Sequence, residues 1–85
     1  MPVLSKFYGI VIRMFFAYPM APHFHAIFGN SELMVSIYPP RVIQGEASPG
    51  VRRLVLAWAQ QHQEELLEAW GRCQNRQAPG QIAPL

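Results

Sequence analysis

The sequence predicts an α+β domain: a three- to four-stranded antiparallel β-meander followed by one long C-terminal α-helix packed on one face. Three observations predict it. The segment 9–46 is rich in β-branched and aromatic residues and is cut into short runs by turn formers. After Ser48 the apolar residues recur at steps of three and four, the period of a helix. A length of 85 residues suits one domain, residues 1–85, and not two.

Taken in order, Gly9–Ala17 (GIVIRMFFA) reads as the first strand. Tyr18–Pro22 is a loop, because Pro19 and Pro22 cannot donate to a central ladder. His23–Phe28 is the second strand, and Gly29-Asn30-Ser31-Glu32 is a turn. Leu33–Tyr38 follows as a third strand, stopped by Pro39-Pro40, and Val42–Gly45 adds a short fourth. Ser48 can cap a helix whose first position is Pro49, where a missing N–H costs nothing. The apolar stripe Val51, Leu54, Val55, Trp58, Leu66, Ala69, Trp70 and Cys73 carries that helix to Asn75. The tail, residues 76–85, is irregular, and its apolar end, Ile82 and Leu85, can either dock back on the body or fray.

Composition narrows the function classes. Hydrophobic residues make up 51% of the chain and charged ones 14%, a balance that leaves an apolar patch for a second subunit to cover. A net charge of +2 is too weak to argue for nucleic acid or for an acidic partner. The single cysteine, Cys73, cannot form an intrachain disulfide and favours a reducing compartment. With neither a signal peptide nor a run long enough to span a bilayer, the expected location is cytoplasmic and away from membranes.

Strand parity sorts the side chains. Closing the first hairpin with Ala17 opposite His23 puts Met14 opposite Ala26 and Ile12 opposite Phe28. Closing the second over a four-residue turn puts Phe28 opposite Leu33 and Ala26 opposite Val35. Both registers give one apolar face, running from Ile10, Ile12, Met14 and Phe16 through Phe24, Ala26 and Phe28 to Leu33, Val35 and Ile37. The other face then collects Arg13, Phe15, His23, His25, Ser36 and Tyr38 among Val11, Ile27 and Met34.

That second face supports a phosphate-directed site. Two imidazoles can serve as general base and acid on a ribose 2′-hydroxyl and a leaving oxygen. His25, mid-strand, is the expected base and His23 the acid, with the reverse assignment as the alternative. Arg13 would hold phosphate, Tyr38 would donate to developing charge, and Phe15 could stack a base, with Ser36 and Lys6 beside them. The competing class is a non-catalytic interface, in which the same face is buried by a small protein partner or in a homodimer. A metal lacks a third ligand for the His-x-His pair, so neither metal nor cofactor is expected. His62, Trp58 and Trp70 read as structural residues of the helix.

The run Ser5-Lys6-Phe7-Tyr8-Gly9-Ile10-Val11-Ile12-Arg13-Met14, the segment Pro22-His23-Phe24-His25 and the helix Leu54…Trp58…His62…Glu65-Leu66-Leu67…Trp70 resemble a family of short bacterial proteins. It is the domain-of-unknown-function family numbered forty-one sixty, and the similarity extends to Ile82-Ala83-Pro84-Leu85. The resemblance implies a toxin–antitoxin-type component and singles out Arg13, His23, His25, His62 and Trp70. It supplies no established activity.

Overall fold

The computed structural model describes residues 2–17 and 20–85; Tyr18 and Pro19 of the predicted loop lie outside the described residues. One antiparallel sheet carries β1 (Val3–Phe7), β2 (Ile10–Arg13), β3 (His23–Phe28), β4 (Ser31–Ser36) and β5 (Arg41–Glu46), each strand beside its neighbour in sequence. Two helices follow, α1 (Pro49–Gln61) and α2 (Gln63–Gln74). The predicted class holds, with two corrections. The sheet has five strands, and the helix is broken.

The additional strand is β1. Tyr8 and Gly9 both take positive φ, 50° and 80°, which is what a two-residue hairpin matched to strand twist requires. That turn folds Val3–Phe7 back on β2, so Phe7 lies opposite Ile10 and Lys6 opposite Val11. The helix breaks at His62, whose φ of −117° leaves the helical range. Hydrogen bonds still bridge the break, from His62 N–H to Trp58 O at 3.1 Å and from Leu66 N–H to His62 O at 2.9 Å. Beside it the Gln63 amide donates to Ile37 O at 3.0 Å and ties the bend to the sheet.

Both hairpins close two residues away from the predicted register. Ala26 pairs with Ile12 and with Leu33, not with Met14 and Val35. In the second hairpin the cause is the turn: Gly29-Asn30 alone makes the connection, and Ser31 and Glu32 enter β4. In the first, β2 stops at Arg13 and leaves a longer connection than expected. A shift of two preserves side-chain parity. Ile10, Ile12, Met14, Phe24, Ala26, Leu33, Val35 and Ile37 are therefore buried together as predicted.

Phe16 and Phe28 are exceptions, 50% and 41% exposed. Phe16 lies past the end of β2, where the Arg76 guanidinium sits 4.8 Å over its ring. Phe28 closes β3 and lays its ring against Gly9, where an added Cβ would come within 3.1 Å of it.

The helices cover the apolar face with Val51, Val55, Trp58, Ala59, Leu66, Ala69 and Cys73. Ser48 caps α1, its Oγ accepting from Val51 N–H at 3.3 Å. Fully buried Trp58 stands between Phe7 and Phe24, with ring centroids 5.5 and 5.6 Å away. Its Nε1–H donates to Ala83 O at 2.9 Å, and Ile82 N–H donates to Leu4 O at 2.8 Å. Of the two alternatives for the tail, docking is the one found, through Ile82. Among the described residues, no helix is long and apolar enough to cross a membrane.

Trp58→Phe keeps most of the ring packing but orphans the Ala83 carbonyl. It should lower stability by about 1–2 kcal/mol in urea melts and speed proteolysis within residues 78–85. Burial also pushes the Cys73 thiol above its ordinary value of 9.0. The unfolded chain then loses this proton before the folded one does. Stability from this group is intact below that value and falls as pH rises through it, measurable as a falling urea midpoint that Cys73→Ala abolishes.

Candidate functional site

The sheet face turned away from the helices is organised in cross-strand rows. One row runs Lys6, Val11, Ile27, Glu32 and Glu46 from β1 to β5. The next runs Val3, Arg13, His25, Met34 and Gln44. A third, partial row holds His23, Ser36 and Arg41. Val11, Ile27 and Met34 are half-buried, whereas Lys6, Arg41, Glu32 and Glu46 are exposed. This is a surface of short apolar centres ringed by charge of both signs.

His25 is its hub. Directly opposite stand Arg13 on β2 and Met34 on β4, where the predicted registers, continued along the strands, would set Phe15 and Ser36. Phe15 still meets the imidazole edge-on, with ring centroids 4.7 Å apart. The His25 Nδ1–H donates to Glu32 Oε2 at 3.0 Å, leaving Nε2 as the nitrogen available to another group. Glu32 was not among the predicted site residues. Reading Gly29-Asn30 as a two-residue hairpin would have brought it into β4 beside His25.

His23 is a correction. It shares the parity of His25, but only 2% of it is exposed. Its Nδ1–H donates to Ala21 O at 2.9 Å, and its ring lies 5.2 Å from Trp70 on α2 and 5.4 Å from His25. Because α2 lays an indole over it, His23 is not an open-face acid to match His25. Tyr38 is also displaced: it lies beyond β4, is 75% exposed, and yields its expected place opposite His23 to Ser36. Lys6 is on the open face, two strands from His25.

His62 belongs to the helical layer. Its Nδ1–H donates to Glu65 Oε1 at 2.7 Å and its ring lies 5.4 Å from Trp58. Among the described residues, no group of three or more His, Cys, Asp or Glu side chains could hold a metal ion.

The concavity on the open face is slight. His25, Glu32, Met34, Gln44 and Gly45 line a hollow of about 200 Å³, below the range of small-molecule pockets. Gly45 is required there: its φ is 94°, and a Cβ would collide with the Glu32 backbone carbonyl. A larger hollow of about 400 Å³ lies elsewhere, between β1 and the tail, lined by Val3, Leu4, Ser5, Lys6, Gln81, Ile82 and Pro84.

The two strand histidines should separate on mutation. His23→Ala removes a buried ring and should cost about 2 kcal/mol. His25→Ala breaks a partly exposed pair and should cost less than about 1 kcal/mol. Denaturant titrations of the two variants measure both.

A family model described as a domain of unknown function, DUF4160, matches residues 9–71. The match spans β2 to β5, α1 and most of α2, including Arg13, His23, His25, Glu32 and Trp70. No curated protein and no solved structure matches the chain. With the family pattern covering most of its length, the chain belongs to the DUF4160 family.

Proposed function

We propose that this chain is a non-catalytic interaction module whose open sheet face docks a protein partner. Support comes above all from the row Lys6–Val11–Ile27–Glu32–Glu46, an apolar centre with a cation at one end and carboxylates at the other. Interfaces between proteins have this make-up, apolar at the core and charged at the rim. A two-histidine acid–base mechanism has less support, because His23 is covered by Trp70. The shallow hollow beside His25 would enclose little of a substrate. Within the toxin–antitoxin-type role that the family resemblance implies, this surface suits the antitoxin-like, partner-binding member.

A second reading has its own observation. Arg13 directly faces His25, with Phe15 edge-on beside it, so a phosphate and a stacked base could both be met there. RNA binding through Arg13, His25, Phe15 and Lys6 is the form this would take. The carboxylates of Glu32 and Glu46 on the same face weigh against it.

Photocrosslinking separates the readings. A benzophenone amino acid is placed at Met34 on the face, or at exposed Glu68 on α2 as a control. Protein adducts from position 34 and none from position 68 are expected. Nuclease-sensitive adducts from position 34 would favour RNA, and adducts from position 68 alone would overturn the proposal.

A further inference from the structure

Along its first row the open face separates opposite charges, with Arg13 and Arg41 as further cations in the rows beside it. Lys6 stands on one edge strand and Glu46 on the other, at the two ends of one register row. Glu46 lies directly opposite Glu32, and like charges so placed destabilise a ladder. His25 is hydrogen-bonded to Glu32. Among the described residues, neither Lys6 nor Glu46 takes part in an ion pair within the chain. A cation from outside would relieve the acidic end, and an anion would suit the basic one.

Resting on the reading of this face as a docking surface, we propose that its partner is a second copy of the chain, packed sheet to sheet about a two-fold axis parallel to β3. Of the dyads lying in the plane of the sheet, two keep the strands of both copies aligned. One perpendicular to the strands lays β1 over β1 and sets Lys6 against Lys6. One parallel to the strands exchanges the edges, so β1 of each copy lies over β5 of the other. Lys6 of one copy then reaches Glu46 and Glu32 of the second, twice by symmetry, and Ile27 meets its own equivalent on the axis. The pattern is self-complementary, as an isologous interface must be. A partner of one sign, such as RNA, would meet repulsion at one end.

Size sets the strength. Five strands of about five residues present a face of roughly 24 by 17 Å. That is about half of the ~800 Å² per partner in a standard interface. Association should therefore be weak, in the micromolar range, and sensitive to salt.

The test is sedimentation equilibrium on the full chain from micromolar to near-millimolar concentration, with circular dichroism to verify folding. Wild type should dimerise, less so in added salt. Lys6→Glu and Glu46→Lys should each weaken the dimer at least about tenfold. The double variant Lys6→Glu/Glu46→Lys should recover affinity to within about threefold of wild type. Monomeric wild type throughout, a dimer indifferent to both reversals, or a double variant that fails to recover would each overturn the proposal. If wild type is monomeric while position 34 crosslinks a different protein, only the second-copy proposal falls. Absence of any face adduct removes the docking surface itself.

Discussion

Burial of Trp58 holds the architecture together. The ring touches β1 through Phe7, β3 through Phe24 and the helix break through His62, and its indole N–H anchors the tail at Ala83. A small domain has little core to spare, so one large aromatic shared by four segments carries much of their mutual order. Fixing both helices on one face leaves Lys6, Glu32 and Glu46 exposed on the other, although Trp70 of α2 reaches His23 at one end of it. The open face, with its hub at His25, is thus a consequence of where Trp58 is buried.

Much of this was legible because side-chain alternation is robust to even errors. Both predicted registers were displaced by two residues, yet each buried strand position from Ile10 to Met14 and from Leu33 to Ile37 kept its side. Boundaries fared less well. The short run of β1 reads as a strand only once Tyr8-Gly9 is recognised as a tight hairpin. The break at His62 has no proline or glycine to announce it, and the Gln63 bond to the sheet beside it is a tertiary contact that periodicity does not carry.

The site shows the same division. Periodicity alone placed Arg13, His25 and Phe15 together, since it dictates which residues share a face. It could not show that Trp70 would cover His23, because that depends on where α2 crosses the sheet. Nor could it bring Glu32 to His25, which follows from a turn two residues shorter than expected. What remains on the open face is one imidazole tied to a carboxylate, with charges of both signs around it.

The order of the strands has a kinetic consequence. Every strand pairs with its neighbour in sequence, so the sheet can grow by successive local closures, each with a small loop entropy. The contact between Ile82 and Leu4 is different: it joins β1 to the segment after α2, across the whole sheet and both helices in sequence. It is the closure with the largest entropic cost and gains nothing until the sheet and α1 are in place. A nearly native species with its tail undocked should therefore be the last intermediate on folding and the first opening on local unfolding.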